Sequence, residues 1–170
     1  MRTIALPSML EILSRNTAYH NTSVNLYELA TIYLPRENDL PEEPNMLTLG
    51  AYGPNVNFFT LKGQLEAVFA GLRVEKSAYV ADKTNPSYHP GRCAKVFVGG
   101  EEVGVIGQVH PAVAKNYGLE CEVYCCEVSF AKLLNHLLPE VTYTPLPKYQ
   151  GTNRDLSILC DEAVTVADVE

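Results

Sequence analysis

Two short blocks hold the side chains most able to do chemistry: His89-Pro90-Gly91-Arg92, and then Gly104-Val105-Ile106-Gly107-Gln108-Val109-His110-Pro111. A proline fixes its own φ and pushes the residue before it toward extended backbone, so His89 and His110 are expected at strand ends or turns. Histidines placed in this way could ligate a metal, with Cys93 or Cys121 as a third ligand, or act as base for a Cys93 nucleophile. The spacing is too loose for a zinc site, and a thiol nucleophile would also need an oxyanion hole. Capping of backbone groups beside a hairpin asks less of the sequence. Arg92 could hold a phosphate, but a buried pairing with a carboxylate suits an arginine between a glycine and a strand better. Near the C-terminus Lys148, Tyr149 and Arg154 could meet RNA by stacking and phosphate contact; equally, Arg154 could pair with a nearby acid while Tyr149 packs on the chain.

Other patterns exclude more than they assign. Cys125-Cys126 lies in a β-rich run where neighbours face opposite sides, so neither a redox pair nor a shared metal follows, and both read as small core residues. Gly104 and Gly107 lack the spacing and the following helix of a dinucleotide fingerprint, and fit a tightly packed sheet instead. The chain has 170 residues, 46% hydrophobic and 19% charged, an ordinary globular composition. Thirteen basic against twenty acidic residues leave a net charge of −7, which repels a phosphate backbone unless the cations gather on one face. In sequence they are scattered. No run approaches the ~18 apolar residues of a membrane span, and no basic leader with an apolar core and cleavage site opens the chain. Five cysteines without framework spacing suit a reducing compartment. The expectation is a cytoplasmic protein with no membrane contact.

The elements that must position these residues follow from periodicity. Leu6, Met9, Leu10 and Leu13 predict a helix from about Leu6 to His20, with Pro7 tolerable in its first turn. Val24 to Leu34 is β-rich with apolar residues on both faces, which predicts a strand inside a sheet; Pro35 ends it. Residues 36–45 read as an exposed loop and Met46 to Tyr52 as a second strand. Leu61, Leu65, Val68, Phe69 and Leu72 predict a helix from Phe58. Val74 to Val80 alternates weakly as a strand. Gly99-Gly100 supplies a primed hairpin turn between two β-runs, Cys93 to Val98 and Glu101 to Gly107. Pro111 to Tyr117 reads as a short helix closed by Gly118 at C′, Val123 to Phe130 as a strand and Ala131 to Leu138 as a helix. The fold class is α+β, an antiparallel sheet flanked by helices. Pro139 to Pro147 has linker composition. Beyond it, Asp155 to Cys160 reads as one strand and Thr165 to Glu170 as a helix begun at a threonine cap.

Taken in order, the His-Pro-Gly-Arg block, the hairpin and the Gly-Val-Ile-Gly-Gln-Val-His-Pro block resemble the C-terminal region of the β subunit of bacterial phenylalanyl-tRNA synthetases. Met1 to Leu10, Leu26 to Pro35 and Phe58 to Gly63 match further blocks of its catalytic-like domain. Pro147-Lys148-Tyr149 and Asn153 to Ile158 resemble the start of the ferredoxin-like anticodon-binding domain. The resemblance implies a class II synthetase-like sheet at residues 1–141, a linker at 142–150 and a truncated second domain at 151–170. About 25 residues cannot complete that domain, since one βαβ unit alone takes about 30. It also implies a catalytically inactive copy. The strand from Leu26 runs into Pro35, with Arg36 one place late, where an active enzyme would carry a phosphate-binding arginine, and the Gly104 segment runs into His110-Pro111 without one. No catalytic, cofactor or metal residue is assigned in this chain. By resemblance the α subunit activates phenylalanine with ATP and magnesium, two α and two β chains form a heterotetramer, and tRNA(Phe) binds the whole enzyme. His89, Pro90, Gly91, Arg92, His110 and Pro111 are then structural or interface candidates. A free-standing module binding a small molecule or peptide between His89, Arg92 and His110 is the alternative.

Overall fold

The computed structural model describes all residues except 75, 140–142, 144, 163, 165 and 170, and the side chain of Ala167. The chain falls into two compact units, Met1–Pro139 and Glu140–Glu170.

In the first unit the order is α1 (Leu6–Ala18), β1 (Val24–Thr31), β2 (Asn45–Tyr52), α2 (Phe58–Leu72), β3 (Ser77–Ala81), β4 (Tyr88–Val98), β5 (Glu101–Val109), α3 (Pro111–Asn116), β6 (Val123–Ser129) and α4 (Phe130–Asn135). Six strands form one antiparallel sheet in the order β1-β2-β6-β5-β4-β3. Period-two alternation gives each strand two faces, and helices cover both faces of the sheet's central strands. Leu6, Met9, Leu10 and Leu13 of α1 and Ala114 of α3 pack on one face against Val24, Tyr52, Cys93, Val123 and Cys125. On the other, Leu61, Leu65 and Phe69 of α2 and Leu133 of α4 pack against Leu47, Leu49, Val96, Ile106, Cys126 and Val128. The adjacent Cys125 and Cys126 thus enter opposite layers.

The local signals act as their chemistry dictates. Gly99 and Gly100 have φ of 56° and 84°, the pair of positive values that a primed two-residue turn requires, and Val98 faces Glu101 across it. Asn57 caps α2 by accepting from the backbone N–H groups of Phe59 and Thr60, while the Thr60 hydroxyl accepts from Asn57 N–H. At the end of α3 the Gly118 N–H donates to Lys115 O and the Leu119 N–H to Ala114 O, with Gly118 at φ 73° and Leu119 buried. This is a full Schellman closure. A methyl group at Gly118 meets no neighbour within 4 Å, so Gly118→Ala is expected to cost only the strain of positive φ, about 1 kcal/mol, read as a lower midpoint in urea unfolding.

Some expectations are corrected. β1 is an edge strand rather than an interior one, and ends at Thr31; Leu34 makes only an isolated bridge to Glu42. Its second apolar face, Tyr27 and Leu29, is 76% and 57% exposed. Two apolar faces therefore did not mean two neighbouring strands. The strand expected from Val74 starts at Ser77, because Val74 instead bridges Leu137 beyond α4. β4 begins at Tyr88 and takes in the whole His89 to Arg92 block, with a register shift between Tyr88 and Cys93 that accommodates Pro90 and Gly91. Helix α4 stops at Asn135, short of Leu138.

In the second unit Asp155 to Cys160 forms no strand and is exposed throughout. A strand needs a partner to satisfy its backbone groups, and no strand forms among that unit's described residues. One short helix, Val166–Val169, is present. The cap expected at Thr165 lies outside the described residues.

Candidate functional site

His89 and His110 each bond to the backbone two residues on. His89 Nδ1 accepts from the Gly91 N–H at 3.1 Å and His110 Nδ1 from the Ala112 N–H at 3.2 Å, the latter capping α3 with Pro111 in its first turn. Pro90 and Gly91 are exposed in β4, and Pro111 is exposed at the start of α3. Neither histidine is brought to Cys93 by any bond, and among the described residues no three His, Cys, Asp or Glu side chains gather as a metal site. Burial pushes the Cys93 thiol up to about 11, the wrong direction for a nucleophile. Burial likewise raises the thiols of Cys125 and Cys126.

Arg92 does pair with a carboxylate, but at the surface. Its side chain is 49% exposed, and Nη1 reaches Glu122 Oε1 at 2.9 Å, Gln108 Oε1 at 2.8 Å and the Tyr124 hydroxyl at 3.5 Å. The Tyr124 hydroxyl donates to Glu122 Oε2 at 2.7 Å. Together the Tyr124 and Arg92 hydrogen bonds hold the Glu122 carboxyl below its ordinary value. The burial expected for Arg92 fails because Gly91 and Arg92 lie where β4 is irregular and its side chain runs along the sheet surface toward the loop before β6. Arg36 lies in the exposed loop and pairs with Glu42 at 3.0 Å. Lys148, Tyr149 and Arg154 are exposed in the second unit.

A polar row on the α1 face was not anticipated. Glu28, Thr48 and Glu127 stand opposite one another across β1, β2 and β6. Glu127 is only 8% exposed, and its Oε1 accepts from the backbone N–H groups of Ala5 at 2.7 Å and Leu6 at 2.9 Å. Helix α1 has Ala5 at its N-cap, a residue with no side chain to offer, so a carboxylate from β6 satisfies two of its free N–H groups. Burial raises the Glu127 carboxyl pKa, although both backbone bonds pull it down. Arg2 completes the row from outside, donating to Glu28 Oε1, Ser8 Oγ and Thr31 O. The available signal was a charged residue on the core side of an otherwise apolar run, Val123 to Val128.

Tight glycines let α1 close on the sheet and let neighbouring strands close on one another. A Cβ on Gly50 would stand 2.5 Å from Met9 Cγ, and one on Gly107 would stand 2.7 Å from Arg92 O. One on Gly104 would strike the backbone of β6, coming within 2.7 Å of Val128 Cα.

With this geometry in view, residues 1–130 match the family model described as the phenylalanyl tRNA synthetase beta chain CLM domain. The chain belongs to that family. Its whole length aligns at 39% identity with the phenylalanine–tRNA ligase beta subunit of Clostridium tetani and at 38% with that of Clostridium acetobutylicum. In each case the chain spans 22% of the relative's length. The family is therefore that of an aminoacyl-tRNA synthetase subunit, represented here by one section of it. Among solved structures, pyrrolysyl-tRNA synthetase from Desulfitobacterium hafniense superposes with a TM-score of 0.65 at 14% identity, over 79% of this chain and 48% of that one. The CLM-family sheet thus shares its fold with an aminoacyl-tRNA synthetase.

Proposed function

We propose that the chain is a non-catalytic, structural section of the β subunit of phenylalanine–tRNA ligase. It supports assembly with an α subunit that attaches phenylalanine to tRNA(Phe) at the expense of ATP, in a cytoplasmic heterotetramer of two α and two β chains. Residues 1–141 are the catalytic-like domain, 142–150 a linker, and 151–170 the start of an anticodon-binding-type domain. The observation that carries this reading is the uncovered edge of the sheet. β1 pairs with a strand on one side only, its outer edge engaged at Thr31 O by Arg2, and it carries exposed Tyr27 and Leu29 with no lysine or proline to block strand addition, so it suits a permanent partner surface.

A non-catalytic role is supported by the state of Arg36, the arginine that follows the β1 strand and could have met an anionic adenylate: it is paired with Glu42. It is supported also by α1, whose Met9 lies against Gly50 and so fills the sheet face beside Glu127. ATP and magnesium serve the whole enzyme, and the described residues of this chain do not fit a metal site. His89, Pro90, Gly91, His110 and Pro111 shape the ends of the hairpin, while Lys148, Tyr149 and Arg154 contribute no more than an accessory RNA contact.

The test is co-expression with the α subunit from the same organism. The chain is expected to co-purify with it, and the double substitution Tyr27→Lys, Leu29→Lys is expected to abolish co-purification while leaving the melting temperature unchanged. Co-purification retained by the double variant, or no co-purification of the unaltered chain where a full-length β subunit succeeds, would overturn the proposal.

A further inference from the structure

We propose that the cleft between the N-terminal end of α2 and the β3-β4 side of the sheet binds a small aromatic carboxylate, a site separate from the β1 edge and independent of the assembly reading. The cleft encloses about 600 Å³, within the range of roughly 300–1,000 Å³ that receives one small organic molecule. Its walls are rings. Phe58 and Phe59 come from α2, Tyr79 from β3 and Tyr124 from β6. Phe59 is 77% exposed, yet it is not a loose side chain, since it stands edge-on to Phe58 with centroids 5.5 Å apart. The capping box at Asn57 and Thr60 fixes the helical turn that carries both rings. An aromatic ligand could therefore stack or pack edge-to-face against side chains that are already ordered.

The polar end of the cleft is Arg92. Gln108, Glu122 and Tyr124 all converge on one of its nitrogens, Nη1. Among the described residues nothing engages Nη2 or Nε. A guanidinium held from one side with its remaining N–H donors unspent presents a planar fork to a two-oxygen anion. Lys62 lines the same cleft, its ammonium 4.6 Å from the Tyr79 ring centroid and paired with Glu66. Because Glu122 and Glu66 offset the two cations, the local field is mild. The second negative charge of a phosphate would face Glu122 on the same guanidinium, and an amine offers the free Arg92 donors no acceptor, so a singly charged carboxylate fits best. His89 and His110 take no part, being engaged with their own backbone.

The test is calorimetric titration of the 170-residue chain with 3-phenylpropionate, phenyl phosphate and 2-phenylethylamine. Saturable binding of 3-phenylpropionate is expected, at least about tenfold tighter than either of the others. Phe59→Ser, at an exposed position, and Arg92→Gln are each expected to weaken it about tenfold, and amide NMR shifts should cluster at residues 58–62, 79–81 and 91–94. Should Arg92→Gln fail to fold, Phe59→Ser and Lys62→Gln decide. No saturable binding, a preference for the phosphate or the amine, or unchanged affinity in Phe59→Ser would overturn the proposal.

Discussion

Gly104→Ala is expected to be the most damaging single-methyl change in the chain, destabilising the first unit by about 3 kcal/mol or more and lowering its melting temperature by roughly 10 °C. The added carbon would meet backbone of β6, not the far end of a flexible side chain. β6 cannot retreat, because it is paired with β2 on its other side and its Val128 is fully buried under α2 and α4. Gly63→Ala is the matched control. Gly63 lies inside α2 with nothing within 4 Å of the new methyl, so that change should stabilise by about 0.5–1 kcal/mol through helix propensity. Differential scanning calorimetry of the two variants should give shifts of opposite sign. A mild effect at Gly104 would mean that β5 and β6 do not approach as closely as described.

Glu127 carries the second large effect. Glu127→Ala leaves the N–H groups of Ala5 and Leu6, both at buried residues, without their acceptor, and is expected to cost about 2–4 kcal/mol. Glu127→Gln keeps an oxygen there and removes a charge that burial disfavours, so it is expected to cost less than about 1 kcal/mol at neutral pH. The cost of the glutamine change should also depend on pH. The folded state raises the Glu127 pKa, so it holds the proton more tightly than the unfolded chain does. The stabilisation from this group is fully present below the ordinary carboxyl value and fades as pH rises through the higher folded value. Wild type should therefore exceed Glu127→Gln by more at pH 4 than at pH 8 in paired urea titrations. A gap that widens with rising pH would contradict the burial that sets the direction.

Whatever local chemistry decides was readable in the chain. Gly99-Gly100 needed no partner to declare a turn, Gly118 no partner to end α3, and His110-Pro111 already marked where β5 gives way to a helix. Features settled by distant residues were not readable. The two apolar faces of β1 say that both want cover, but not whether a strand of this chain provides it. Glu127 looks like a misplaced charge until α1, 122 residues earlier, is laid over it. The pairing of Arg92 could be anticipated in kind but not in depth, because exposure depends on how β4 bends at Pro90 and Gly91. Asp155 to Cys160 has the alternation of a strand, and alternation alone supplies no neighbour to bond with.

The last strand of the first unit is also its middle one. β1 and β2 form one ribbon and β3, β4 and β5 another, and β6 alone pairs with both. Synthesis from the N-terminus therefore leaves the two ribbons without a hydrogen-bonded link until residues 123–129 emerge. Only then can they be sutured, and the same insertion delivers the carboxylate that docks the first helix. A nascent chain halted before Val123 would hold most of the unit's residues yet leave β2 and β5 each with an unpaired edge.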